Sequence, residues 1–158
     1  MKETPTTQFR PEDGEPRSQV GALCWRWHKR RVEVLLVTSR ETARWVVPKG
    51  WPIEGLDGAG SAAREAWEEA GVRGEVQPVA LGVYGYDKVM RRGGEDEAQV
   101  PCMVAVFALA VSRQLKGFPE AGQRRLRWFS QAKAAKKVDE AELKALIAGF
   151  AAPGKARG

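Results

Sequence analysis

The chain has 158 residues, 43% hydrophobic and 29% charged, which suits one domain of ordinary globular composition and not a disordered or fibrous chain. No apolar run approaches the ~20 residues of a membrane-spanning helix, the opening MKETPTTQFRPEDGEP lacks an apolar signal core, and Cys24 and Cys102 supply neither a disulfide framework nor zinc spacing. The composition points away from membrane proteins, secreted scaffolds and zinc fingers, and a reducing cytoplasm is the expected compartment.

The net charge of +6 is unevenly spread: residues 41–75 carry 4 basic and 7 acidic groups, and residues 113–158 carry 11 and 4. An acidic centre in a basic chain can hold divalent cations while its surroundings attract phosphates. From charge alone, a solvated basic surface is the plainer account.

Residues 1–17 are rich in Pro, Glu, Thr and Gly and read as a flexible arm. Strand signals follow at 19–27 and 32–40, joined by His28-Lys29-Arg30-Arg31 as a hairpin turn, and then at 44–48. Gly50 to Gly60 is a loop with four glycines. Residues 61–71 are helix formers, with Ser61 as a plausible N-cap and Gly71 at the C′ position. Strands are expected at 76–90 and 99–112 around the polar turn RRGGEDEA, and at 126–130. Residues 133–150 form one helix or two, and 151–158 read as a flexible tail. This order predicts an α+β fold, an α/β/α sandwich with a mixed sheet between helices, as one domain over 18–150.

Chemistry concentrates between Gly50 and Val72. Glu65, Glu68 and Glu69 lie at i, i+3 and i+4, so a helix gathers three carboxylates on one face. Like charges at that spacing repel, and helix propensity does not account for them. A hard cation such as Mg²⁺ or Mn²⁺ does, since it takes carboxylate oxygens and keeps sites for water and substrate phosphates. Arg64 can orient one carboxylate by a charge-assisted hydrogen bond, and Gly50 permits backbone groups to face a ligand.

The segment resembles the Nudix box: Gly, five residues, Glu, seven residues, Arg-Glu-apolar-any-Glu-Glu-any-Gly-apolar. Gly50, Arg64, Glu65, Ala66, Glu68, Glu69, Gly71 and Val72 fall in register, Ala66 being smaller than the usual aliphatic residue. One position departs, with Leu56 in place of the pattern's first Glu. The flanking stretches CWRWHKRRVEVLLVTSRETARWVVPKGW and GQRRLRWFS resemble the diphosphoinositol polyphosphate and dinucleoside polyphosphate phosphohydrolase branch, in a bacterial variant. The resemblance implies Mg²⁺-dependent hydrolysis of a pyrophosphate bond. Glu65, Glu68 and Glu69, with the Gly50 carbonyl, would be the metal ligands, and Arg64 would join the glutamates as catalytic machinery. The general base stays open between a helix glutamate and a loop carboxylate from Glu95, Asp96, Glu97 or Glu120.

A polyphosphate needs many cations, and Arg forks phosphate well. Arg17, Arg40, Lys49, Lys88, Arg91, Arg92, Arg124 and Arg125 are candidates, with Arg40, Lys49 and Arg124 foremost because they stand close to the box or to the RWFS strand. Trp51, Tyr84 and Tyr86 are candidates for stacking on a base, though packing against a sheet is the commoner fate. A single His, His28, argues against a Ser-His-Asp hydrolase. The expected partner is a small-molecule polyphosphate. Two alternatives remain, a nucleoside triphosphate or RNA 5′-end hydrolase and a non-catalytic ligand sensor. Nucleic acid is possible but not favoured, a membrane partner is not expected, and the sequence does not set the oligomeric state.

Overall fold

The computed structural model describes residues 16–92 and 96–154, apart from the side chains of 90–98. Strands β1 (Arg17–His28) and β2 (Arg31–Thr38) form the expected hairpin. Lys29 and Arg30 both take positive φ, at 51° and 69°, the two-residue turn whose twist matches that of the strands it joins. β1 starts at the last residue of the expected arm, and residues 1–15 of that arm lie outside the described residues.

The expected strand at 44–48 shortens to β3 (Trp45–Val46), and a second two-residue strand, β4 (Lys49–Gly50), follows just beyond it. β3 pairs with β2, and β4 crosses to pair with β1 at Val20 and Gly21. Pro48, which has no amide hydrogen to donate, sits at the crossing and accepts from the Ala22 amide at 3.0 Å. The expected strand at 76–90 starts later, as β6 (Gly82–Arg92), and an unexpected strand, β5 (Val72–Val76), precedes it, with Pro78, which cannot donate to a ladder, between the two. β7 (Asp96–Gln114) pairs antiparallel with both β5 and β6 and parallel with β1. β8 (Leu126–Ser130) closes the other side on β2. The result is one mixed eight-stranded sheet.

Helix α1 (Gly58–Ala70) covers one face, and α2 (Gln131–Lys137) with α3 (Ala141–Gly149) covers the other. This is the α+β sandwich expected, with two C-terminal helices. Period-two alternation sorts the side chains: Ala22, Cys24, Leu35 and Val37 face α1, while Leu23, Trp25, Val34 and Leu36 face α2 and α3. With both faces covered, these strands read as unbroken apolar runs. The chain beyond α3 is tied to the core as far as it is described, since Trp27 Nε1 donates to the Pro153 carbonyl at 3.1 Å and Ala152 packs against the core cluster on the α2 and α3 side.

Candidate active site

Helix α1 begins a turn before the expected Ser61. Asp57 is its N-cap, with Oδ1 accepting from the Gly60 amide at 2.7 Å, and Asp caps as well as Ser does. Ser61 is fully buried, and its hydroxyl accepts from the Ile53 amide at 2.9 Å, pinning the preceding loop to the helix. Ala59, Ala62, Ala66 and Ala70 form a small-residue stripe against the sheet. The small Ala66 therefore belongs to a close helix–sheet contact. At the far end Gly71 takes φ 70° in the expected C′ position.

The last carbonyls of α1 fix the loop that follows β7. The Glu120 amide donates to the Glu68 carbonyl, and the Leu115 amide to the Gly71 carbonyl, each at 2.9 Å. Helix ends leave such acceptors without an intrahelical partner. Satisfying them here brings Glu120 to the helix glutamates.

Glu65, Glu68, Glu69 and Glu120 line one cavity of about 240 Å³, closed by Lys49, Gly50 and Trp51 around β4, by Arg40 after β2, by Gln19 on β1, by Tyr86 and Lys88 on β6, and by Arg124. A Cβ on Gly50 would stand 2.6 Å from both Glu65 carboxylate oxygens, so the glycine leaves the berth that this carboxylate occupies. Glu69 is 6% exposed. It accepts from the Lys49 amide at 3.4 Å and pairs with Arg124 Nη2 at 3.5 Å.

Burial pushes the Glu65 carboxyl up, and Glu69 and Glu68 beside it push the same way. Burial also raises Glu69, opposed by Arg124 and Lys49. The Lys49 ammonium is lowered, first by burial, and sits 4.9 Å from the Tyr86 ring centroid.

Among the described residues, no three acidic, His or Cys side chains stand as a ready-made metal cage. Glu69 and Glu120 lean on Arg124 instead, and Glu68 on Arg64. The donor set nonetheless fits a hard divalent cation: five carboxylates, Glu41 among them, line one cavity, and two of the five are raised by burial and mutual repulsion. A divalent charge placed there would relieve that repulsion.

The structure brings Glu65, Glu68, Glu69, Gly50, Arg40, Lys49 and Arg124 together and adds Lys88 and Trp51. Arg64 stands beside one helix carboxylate. It is half exposed and lies 3.8 Å from Glu68, because i and i+4 are neighbours on a helix. It does not line the cavity with Glu65, and faces a neighbouring groove with Leu56, Trp67 and Arg73. Leu56, where the box has a Glu, belongs to that groove too, so its substitution removes no carboxylate from the cavity.

Arg125 stacks 5.3 Å from the Trp45 ring instead of facing the cavity. Tyr84 is buried in the core, as packing would have it, while Tyr86 lines the cavity. Glu95 and the side chains of Arg91, Arg92, Asp96 and Glu97 lie outside the described residues. Sequence reasoning missed Gln19, which is 4% exposed and accepts from the Tyr86 hydroxyl at 2.6 Å. Its one signal is a polar residue opening an otherwise apolar strand.

Residues 15–150 match the NUDIX domain family. The chain belongs to the Nudix family. It is 35% identical over 133 residues to mouse diphosphoinositol polyphosphate phosphohydrolase 3-alpha, covering 81% of this chain and 71% of that protein. It is 36% identical over 100 residues to mitochondrial Nudix hydrolase 12 of Arabidopsis thaliana, covering 63% of this chain and 49% of that one. The Nudix chain thus spans about half the length of the plant relative. Among solved structures, a C. elegans Ap4A hydrolase superposes with a TM-score of 0.56 at 19% identity, over 84% of this chain and 94% of the other. The E. coli dihydroneopterin triphosphate pyrophosphohydrolase gives 0.62 at 17% identity, over 84% and 93%. At such identities these two structures speak for the Nudix fold alone.

Proposed function

We propose that this Nudix protein is a divalent-metal-dependent pyrophosphohydrolase of a densely phosphorylated small molecule, a diphosphoinositol polyphosphate or a dinucleoside polyphosphate. The observation that carries this reading is one cavity in which Glu65, Glu68, Glu69 and Glu120 face Arg40, Lys49, Lys88 and Arg124. Carboxylates without a metal would repel phosphate, and a purely cationic pocket would bind it without cleaving it. The two sets together suit binding followed by hydrolysis.

Glu65, Glu68 and Glu69, with the Gly50 backbone beside them, would hold Mg²⁺ or Mn²⁺, which supplies charge neutralisation and an acidified water. Arg40, Lys49, Lys88 and Arg124 would bind and orient the phosphates. Arg64, outside the cavity, would act through Glu68. Glu120, whose side chain is the one described from the expected set of loop carboxylates, lines the cavity, which supports it as a candidate base. The likeness to the mouse diphosphoinositol polyphosphate phosphohydrolase supports the substrate class.

The test is product release at millimolar Mg²⁺ from a diphosphoinositol polyphosphate, Ap₅A, ATP, 8-oxo-dGTP and triphosphorylated RNA, with Glu69→Gln as the blank. Turnover of either of the first two is expected, with kcat at least ~10²-fold lower in the variant. Turnover confined to ATP, 8-oxo-dGTP or RNA would keep the chemistry and replace the substrate. Silence throughout, with polyphosphate binding retained, would favour a sensor.

A further inference from the structure

The Arg124 guanidinium spans three elements. Its Nη2 lies 3.2 Å from Glu120 Oε1 and 3.5 Å from Glu69 Oε2, and its Nη1 donates to the Thr38 carbonyl at 3.2 Å. Its Nε is buried without a hydrogen-bond partner. A guanidinium is planar with five donors, and a buried donor left unpaired is costly. Two carboxylates from different elements would repel across this gap, and a positive charge between them lets the buried Glu69 and the partly buried Glu120 stand together. The idle donor belongs to a side chain that lines the cavity.

We propose that Arg124 serves as a stand-in counter-ion in the metal-free protein, bridging Glu69 and Glu120, and that it gives up Glu69 when a divalent cation binds, turning its fork to a substrate phosphate. Arg124 then competes with metal and cooperates with substrate. Metal and substrate binding become coupled through one side chain with two sets of partners. The inference rests on the metal-dependent reading above and deepens it.

Mn²⁺ binding without substrate, followed by electron paramagnetic resonance, tests it. Arg124→Lys keeps the charge but cannot span Glu69, Glu120 and the Thr38 carbonyl together. It is expected to bind Mn²⁺ about 3- to 10-fold more tightly than wild type, while binding methylenediphosphonate more weakly in the presence of the metal. Arg124→Leu is expected to move both values in the same directions. If Leu tightens Mn²⁺ and Lys equals wild type, only net charge matters and the proposal falls. It falls equally if neither variant tightens it. Wild type that binds no Mn²⁺, or binds it undiminished in Glu69→Gln, overturns the metal reading itself.

A measurement on the wild type needs no variant to fold. Mg²⁺ alone is expected to shift the Arg124 Nε–H resonance, and methylenediphosphonate to shift it again. A resonance unmoved by both additions overturns the proposal.

Discussion

Gly50 shows how one missing side chain can shape a site. A Cβ there would meet the Glu65 carboxylate oxygens at 2.6 Å, and that carboxylate is the mobile end of a long side chain. Gly50→Ala should therefore leave the fold within about 1 kcal/mol of wild type while swinging Glu65 out of its berth. A kcat lower by about tenfold or more, with a nearly unchanged Tm, is the expected pair of results. A large drop in Tm would mean that backbone had moved instead, and the reading of Gly50 as a cradle would fail. Leu56 gives the opposite case. Because it lines the groove beside Arg64 and Trp67, restoring the family carboxylate with Leu56→Glu should change kcat by less than about threefold. A gain of tenfold or more would show that residue 56 reaches the reaction.

The elements themselves tie the C-terminus of α1 to the loop bearing Glu120. Gly71 has φ 70°, and a Cβ on it would stand 2.6 Å from the Leu115 carbonyl oxygen, a backbone atom that cannot swing aside. Gly71→Ala should cost about 2–4 kcal/mol through the left-handed conformation and the clash. It should also weaken activity, since the Gly71 and Glu68 carbonyls hold that loop. Circular dichroism melting beside kcat checks both; a stable, fully active variant would sink the link between helix end and Glu120. The Gly71 C′ position was legible because αL glycines have a fixed place after a helix. The start of α1 was not: Asp57 and Ser61 are both acceptable caps, and what decides is that Ser61 is buried against Ile53, a tertiary fact. Likewise, local pattern runs a strand from 76 to 90, whereas pairing with different stretches of β7 puts strands at 72–76 and 82–92.

Across the whole molecule, the acidic cluster was readable because Glu65, Glu68 and Glu69 are neighbours in sequence. The cations opposite come from β4, β6 and two loops, and only the folded sheet says that Lys88 enters while Arg125 turns away to Trp45. Assembling these charges in one cavity makes stability depend on pH. Glu65 is pushed up to about 8 and Glu69 to about 7 from a usual 4.5, burial being the main cause for both. Between pH 4.5 and 8 the folded chain holds protons that the unfolded chain has released, so rising pH removes stability in that window. Lys49, with its ammonium lowered by burial, works in the other direction toward alkaline pH, which makes pH 5.5 to 8 the window to measure. In EDTA, the contribution of the pair should make Tm fall across that range, and Glu65→Gln should flatten the fall. Mg²⁺ binds the deprotonated carboxylates, so the rise in Tm that it produces should be larger at pH 8 than at pH 6. A metal increment that shrinks with rising pH would mean that these carboxylates are not the ligands.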